Sequence, residues 1–207
     1  MDFLYTISGF AVGFIVGLTG VGGGSLMTPL LVLVFGIVPA TAVGTDLLYA
    51  SITKMGGVWV NGRRGSVDWK IAGLLASGSL PASVITVWAL KKYALQTAHF
   101  NSLITTTLGV ALILTAVVLI FREGIQKFVQ HHVGELWHER HPLPATIAVG
   151  IVLGAMVTVS SVGAGALGVA ALTILYPRLP AVKIVGTDIA HAVPLTAVAG
   201  VGHLALG

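Results

Sequence analysis

Four ionisable side chains lie within apolar stretches of this sequence. Asp46 and Lys54 are eight positions apart, so a helix would place both on one face, and His191 follows Asp188 by three positions. A charge within an apolar span is costly unless it is paired or hydrated, and such residues often mark ion or proton pathways. If Asp46 and Asp188 serve function, we expect them to titrate and to couple proton movement to solute movement.

Structural interpretations of these four residues stay open beside the functional one. Each aspartate follows a Gly-Thr pair, and this pattern predicts a helix break that the aspartate caps. Lys54 could direct its ammonium outwards to the membrane surface. His191 could bond a neighbouring backbone carbonyl.

Two glycine-rich clusters precede short apolar runs. The first is Gly20-Val21-Gly22-Gly23-Gly24-Ser25 and the second is Gly163-Ala164-Gly165-Ala166-Leu167-Gly168. Ser25 is a predicted N-cap for the run from 26 to 35, which would extend only about 15 Å as a helix. Such a half-helix is tolerated at membrane depth only where it is buried in protein or lines a cavity. The alternative is a helix crossing that needs small residues.

Successive glycine N–H groups ahead of a helix can bind an anion. Neither a Walker A loop nor a dinucleotide fingerprint fits these clusters. The candidate substrate ligands are the backbone and hydroxyl groups at the clusters and at the Gly-Thr-Asp triplets: Gly20, Gly22, Gly23, Gly24, Ser25, Thr45, Ser160, Ser161, Gly163, Gly165 and Thr187.

The order of glycine cluster, Pro-Ala step and Gly-Thr-Asp triplet occurs twice. The clusters are 143 positions apart and the triplets 142. We interpret this as an internal duplication, with a first repeat over 1–142, including a polar loop at 122–143, and a second over 143–207. The second repeat has no counterparts of 71–90 and 101–121, so we expect the sequence to be a fragment of a longer protein.

Composition indicates a protein in lipid. Hydrophobic residues make up 56% and charged residues 9%, with a mean hydropathy of +0.97. Long apolar stretches at 3–18, 71–90, 101–121 and 145–159 predict membrane helices, hence an all-α multi-pass integral membrane protein with short or broken helices at its glycine-rich turns. The basic residues lie in short loops, which argues against nucleic acid as a partner.

Metal and cofactor sites are not expected. The chain has no cysteine, and the histidines of the 122–143 loop lack firm ligand spacing. Orientation follows from positive charge, because the loops at 61–70 and 122–143 together carry more lysine and arginine than the opposite side. Both loops are therefore predicted to be cytoplasmic.

The sequence resembles the sulfite exporter TauE/SafE family of membrane permeases. The segments that carry this resemblance occur in both halves: Gly17–Ser25 with Pro29, Ala42–Asp46, Gly65–Trp69, Ser161–Gly165, Val185–Asp188 and Gly202–Leu204. The resemblance implies a multi-pass carrier of the cell inner membrane for small sulfur-containing anions such as sulfite or organosulfonates. Substrate and direction vary within the family.

Duplicated units with broken helices predict a transporter whose site lies where the repeats meet, near the middle of the membrane. Two alternatives stay open: a passive anion channel on the same fold, and an intramembrane hydrolase that pairs Ser25 or Ser160 with a histidine. The second is disfavoured because the histidines, unlike the glycines and aspartates, are not duplicated. Oligomeric state does not follow from the sequence.

Overall fold

The fold is known from a computed structural model that describes residues 2–19, 23–94, 100–121, 124 and 142–205. Within these ranges the protein is helical and contains no strand, which confirms the predicted all-α class. The described ranges contain eight α-helices: α1 Asp2–Thr19, α2 Met27–Leu33, α3 Pro39–Arg63, α4 Trp69–Ala94, α5 Phe100–Ile120, α6 Pro142–Ser160, α7 Ala166–Leu175 and α8 Ala181–Leu204.

Four of these helices are long and apolar enough to cross a membrane. They contain the spans Trp69–Lys92, Ser102–Ile120, Leu143–Ser160 and Ala181–Leu204. The short helices α2 and α7 each follow one of the glycine clusters, as the sequence predicts. A ring of large apolar side chains faces outwards from the longer helices, which is the surface expected of a protein in lipid.

Local sequence sets the helix ends on either side of the 61–70 loop. Gly65 adopts a left-handed backbone with φ of 66°, directly after α3 has ended at Arg63. Asp68 then starts α4, because its carboxylate accepts hydrogen bonds from the backbone N–H groups of Lys70 and Ile71. The local sequence of this loop therefore ends α3, reverses the direction of the chain and starts α4.

The predicted helix breaks at the two Gly-Thr-Asp triplets are wrong. Gly44–Asp46 lies inside the continuous helix α3, and Gly186–Asp188 lies inside α8. The glycines serve close packing instead. A Cβ on Gly44 would lie 2.8 Å from the Cβ of His203, and one on Gly186 would collide with the backbone oxygen of Ser66.

The predicted capping role of Ser25 is also wrong. Ser25 ends a short 3₁₀ turn over Gly23–Ser25, and the residue at the N-cap of α2 is Leu26, which provides no side-chain hydrogen bond. The 3₁₀ turn provides a backbone hydrogen bond before α2, since the Leu26 N–H donates to the Gly23 carbonyl.

Helices α3 and α8 run antiparallel along each other at the centre of the molecule. Residue numbers fall along α8 as they rise along α3: Gly44 lies beside His203, Gly57 beside Ile189 and Asn61 beside Gly186. Near the middle, Ser51 Oγ donates to the Val193 carbonyl across 3.4 Å, a pair separated by 142 positions, the spacing of the duplication.

Helix α4 packs against both α6 and α8. Gly150 and Gly154 of α6 bring that helix so close that a Cβ on either would collide with the backbone of α4. The largest buried apolar cluster joins α3, α5, α6 and α8 through Val43, Leu47, Ile104, Val157, Leu195 and Ala199. The central helices are thus held as one body around the glycine-rich turns.

Candidate functional site

The chain reverses direction in the segment between α6 and α7, residues Ser161–Gly165, which we call the second elbow. Its backbone requires unusual geometry: φ is 60° at Ser161, 113° at Gly163 and 151° at Gly165. Glycine adopts such angles at low cost, whereas Ser161 is strained there. Strain of this kind persists when the surroundings fix the residue. The backbone N–H and the hydroxyl of Ser161 both donate hydrogen bonds that hold it in place.

The corresponding first elbow lies between α1 and α2, and its described part is Gly23–Leu26. Gly20 and Gly22, two of the predicted ligands, lie outside the described residues. The two elbows touch: a Cβ added to Gly24 would collide with the carbonyl oxygen of Ser161. The clusters that the sequence analysis placed at a common site therefore do meet, backbone against backbone.

Asp46 joins the two elbows. Its Oδ2 accepts a 2.6 Å hydrogen bond from the hydroxyl of Ser161 in the second elbow and a 2.8 Å hydrogen bond from Thr28 of α2. Gly23 and Gly24 of the first elbow lie directly against the same carboxylate. Asp46 is fully buried, and its Oδ1 has no hydrogen-bond partner in the part of the chain that the structure describes.

Lys54 lies two turns further along α3 and contacts the second elbow as well. Its Nζ donates a 2.5 Å hydrogen bond to the carbonyl oxygen of Ala164. The ammonium also attracts the buried carboxylates of Asp46 and Asp188. Lysine has three N–H donors, so the ammonium can bind further acceptors without giving up Ala164.

Asp188 approaches the same segment from α8. Gly168, in the first turn of α7, lies so close to its carboxylate that a Cβ there would collide with Oδ1. Within the described residues that oxygen has no hydrogen-bond partner. Asp46, Lys54 and Asp188 therefore contact successive positions of one segment: Ser161, Ala164 and Gly168.

The second elbow also offers hydrogen-bond donors. In the described part of the chain, the backbone N–H groups of Gly163 and Ala164 find no acceptor, whereas that of Gly165 bonds the Gly163 carbonyl. They precede the N-terminus of α7, where the helix dipole favours negative charge. Two free N–H groups, a helix N-terminus and the Lys54 ammonium thus lie around one turn of backbone.

The predicted Asp188–His191 pair has a partner that sequence reasoning missed. His191 Nε2 lies 2.8 Å from the hydroxyl of Ser79 on α4. One turn further along α4, Ser83 accepts a hydrogen bond from Thr158, whose carbonyl in turn lies 2.8 Å from His203 Nε2. The serines at 79 and 83 carried no sequence signal beyond their spacing of four within an apolar helix.

Three predicted hydroxyl ligands lie away from the elbow contact. Thr45 is exposed and bonds the carbonyl of Thr41 in its own helix. Thr187 accepts a hydrogen bond from the Asp68 N–H at the start of α4. Ser160 bonds the Met156 carbonyl in the last turn of α6 and accepts a hydrogen bond from the Val162 N–H of the second elbow, but it does not bond the first elbow among the described residues. Ser161, its neighbour, is the hydroxyl that the structure places between the elbows.

A family model described as Sulfite exporter TauE/SafE matches residues 5–207. The chain belongs to the sulfite exporter TauE/SafE family. No solved structure matches it.

Several curated relatives of this TauE/SafE member are described as probable membrane transporter proteins. YjnA of Bacillus subtilis is 38% identical over 201 residues, which cover 97% of this chain and 78% of the relative. MJ0441 of Methanocaldococcus jannaschii is 26% identical over 95% of this chain and 70% of its own length. A protein of Xylella fastidiosa is 27% identical over 88% of this chain and 66% of its own length.

Family membership and the apolar helices together establish a multi-pass membrane transporter for a small solute, and not an enzyme. The hydrolase alternative from the sequence is therefore wrong. Its proposed nucleophile Ser160 is fully buried and bonds its own helix. The histidines of the 122–143 loop lie outside the described residues, and within these no cluster of metal-ligating side chains occurs.

Proposed function

We propose that this TauE/SafE transporter carries small sulfur-containing anions, such as sulfite or organosulfonates, across the cell inner membrane. The observation that carries the proposal is the contact between the two elbows with Lys54 beside them. Backbone N–H groups at a helix N-terminus and an ammonium can together replace the hydration shell of a small anion.

The arrangement of the repeats supports transport through this site. Equivalent helices of the two repeats, α3 and α8, run antiparallel, as in inverted repeats related by an axis in the membrane plane. In such transporters the substrate binds between the repeats, and access alternates as one repeat moves against the other. On this proposal residues 1–142 and 143–207 are the two repeats, and the loops at 61–70 and 122–143 face the cytoplasm.

Proton coupling is the second part of the proposal. Asp46 and Asp188 are fully buried close to the region where the anion would bind, and two ionised carboxylates would repel it. Protonation of a carboxylate as the anion binds removes that repulsion. The anion and a proton then cross the membrane together.

A binding screen with purified protein tests the substrate class. We expect at least one of sulfite, thiosulfate, taurine and sulfoacetate to bind, because each presents sulfur–oxygen acceptors to the elbow N–H groups. Sulfate serves as the doubly charged comparison, and glycerol as an uncharged one. Binding of uncharged solutes without any of the anions would overturn the proposed substrate class.

Counterflow in reconstituted vesicles then separates a carrier from a passive channel. Unlabelled substrate on the far side should accelerate uptake of labelled substrate in a carrier, since the loaded site returns faster than the empty one. Uptake that does not change when unlabelled substrate is present on the far side would identify a channel and refute alternating access. The Lys91→Gln variant, whose changed residue is exposed at the end of α4, is the matched control.

A further inference from the structure

Two aspartates occupy equivalent positions in the repeats, 46 and 188, but their surroundings differ. Asp46 has two hydroxyl donors on one oxygen, Ser161 at 2.6 Å and Thr28 at 2.8 Å. Hydroxyl donors stabilise an ionised carboxylate whether or not a cation is near. Asp188 accepts no hydroxyl hydrogen bond within the described residues, and its Oδ1, which has no partner there, as is also true of the Oδ1 of Asp46, lies against Gly168.

Lys54 is the charge that the two aspartates share. It has no equivalent in the second repeat, where position 196 is threonine. Its Nζ bonds Ala164, and the Asp188 carboxylate lies against Gly168, four positions further along the same segment. The other titratable side chains that α8 turns into the core are His191 and His203, which bond Ser79 and the Thr158 carbonyl respectively. Helices α2, α5, α6 and α7 contain no titratable residue, and the titratable side chains that the structure describes on α1 and α4 are exposed: Tyr5, Lys70, Lys91 and Lys92.

An anion bound at the second elbow would compete for Lys54. Nζ already donates to Ala164, the residue whose free N–H would bind the anion, so the ammonium lies within reach of the bound solute. Once the ammonium neutralises the anion, Asp46 keeps its two hydroxyl donors. Asp188 loses its counter-ion and would be a buried, uncompensated carboxylate, a costly state that a proton relieves.

We infer that Lys54 binds the transported anion and that Asp188, and not Asp46, takes up one proton when a singly charged anion binds. This inference rests on the proposed anion transport. Before binding, Lys54 offsets Asp188 and Asp46 remains negative. After binding, Lys54 offsets the anion, Asp188 carries the proton and Asp46 is unchanged, so the net charge of the buried site stays the same.

In this assignment Asp46 is a structural link between the elbows. The two aspartates of a duplicated motif would then have separate roles, one in holding the elbows together and one in coupling. His191, one turn beyond Asp188 and bonded to Ser79, would orient the polar surroundings of Asp188 without taking up the coupled proton.

Calorimetric titration of the purified protein with methanesulfonate tests the inference. This probe keeps a single negative charge across the pH range used, so every proton exchanged belongs to the protein. Binding heats in phosphate and in Tris buffer at one pH give the number of protons taken up. We expect one proton per anion in the wild-type protein and in Asp46→Asn, and close to none in Asp188→Asn.

Lys54→Gln should weaken methanesulfonate binding at least tenfold, while Lys91→Gln leaves it unchanged. Asparagine and glutamine are close in shape to the residues they replace, and size-exclusion chromatography checks that each variant is folded. If Asp188→Asn does not fold, the number of protons taken up per bound anion can still be measured on the wild-type protein. Its affinity should fall about tenfold per pH unit where Asp188 is ionised before binding.

The outcomes separate the inference from the function on which it rests. Anion binding without proton uptake, or proton uptake lost in Asp46→Asn and kept in Asp188→Asn, overturns the inference and leaves anion transport standing. Unchanged affinity in Lys54→Gln overturns the role of Lys54. If neither methanesulfonate nor any anion of the binding screen binds the wild-type protein, the proposed function fails and the inference fails with it.

Discussion

At the scale of single residues, the structure turns on a few polar contacts buried in an apolar protein. One carboxylate oxygen of Asp46 accepts hydrogen bonds from the hydroxyls of Ser161 and Thr28. The Lys54 ammonium donates a hydrogen bond to the Ala164 carbonyl. Each of these bonds crosses between segments far apart in the sequence. In a surrounding of low polarity, each partner that is lost leaves a costly unpaired group.

We predict that Thr28→Val and Ser161→Ala each lower the unfolding free energy by about 1.5–3 kcal/mol, because each deletes a donor to a buried carboxylate. Since both hydroxyls bond one oxygen, the double variant should depart from additivity by at least about 0.5 kcal/mol. Denaturant unfolding of the purified protein in detergent measures all three.

Thr107→Val is the matched control for that cycle. Thr107 is partly exposed, and its hydroxyl bonds the Leu103 carbonyl within α5. Its effect should be small and should add simply to that of Ser161→Ala. If Thr28 and Ser161 also prove additive, Asp46 does not join the elbows in the way described.

Residue types alone identified the important positions but not their partners. Asp46, Lys54 and Asp188 stood out because charge in an apolar span is rare. Nothing in the sequence could assign Thr28 to Asp46 or Ser79 to His191, since the pairs come from separate helices and only the packing aligns them. Thr45 and Thr187 were predicted as ligands because each precedes one of these aspartates. Their hydroxyls bond other partners, because neighbouring residues on a helix face different directions.

At the scale of elements, the helix breaks were only half predictable from the glycines. A glycine cluster follows the end of a helix at each elbow, and in the second elbow the positive φ angles of Gly163 and Gly165 favour glycine. The glycines of the Gly-Thr-Asp triplets lie inside continuous helices, where they let another part of the chain approach closely. A single sequence does not distinguish these two uses of glycine.

The antiparallel course of α3 and α8 leads to a prediction about membrane sidedness. Equivalent positions at the starts of these helices should face opposite sides of the membrane. The chain contains no cysteine, so single cysteines can be introduced without background. We expect Val38→Cys and Ala205→Cys to react with an impermeant maleimide from outside the cell, and Arg64→Cys and Arg178→Cys only in inside-out vesicles.

That experiment contains its own controls, because each helix has a labelled position at both ends. Labelling of positions 38 and 178 from the same side would contradict the inverted relation of the repeats. Labelling of position 64 from outside would contradict only the predicted cytoplasmic loop.

At the scale of the whole molecule, the packing of α3 against α8 explains why the contact lies where it does. These two helices run antiparallel, and Ser51 is hydrogen-bonded to Val193, 142 positions later. Each of these helices brings its aspartate to a glycine-rich turn. The packing of α3 and α8 therefore places Asp46, Lys54 and Asp188 along the second elbow and the start of α7.

Fold class, membrane location and family followed from composition and motifs, because lipid restricts a spanning chain to few solutions. The difference between Asp46 and Asp188 did not follow, since their local sequences are nearly the same. Only three-dimensional placement gives Asp46 two hydroxyl donors and leaves Asp188 without one among the described residues.

The central claim is that the two elbows and Lys54 form the binding site of a small anion. Diffraction at the selenium absorption edge from crystals soaked in selenite, a close analogue of sulfite, tests it most directly. We predict one strong anomalous peak beside the second elbow, within hydrogen-bond reach of Lys54 Nζ and of the Gly163 and Ala164 N–H groups. A peak confined to the lipid-facing or aqueous surface, or no peak at saturating selenite, would contradict the claim.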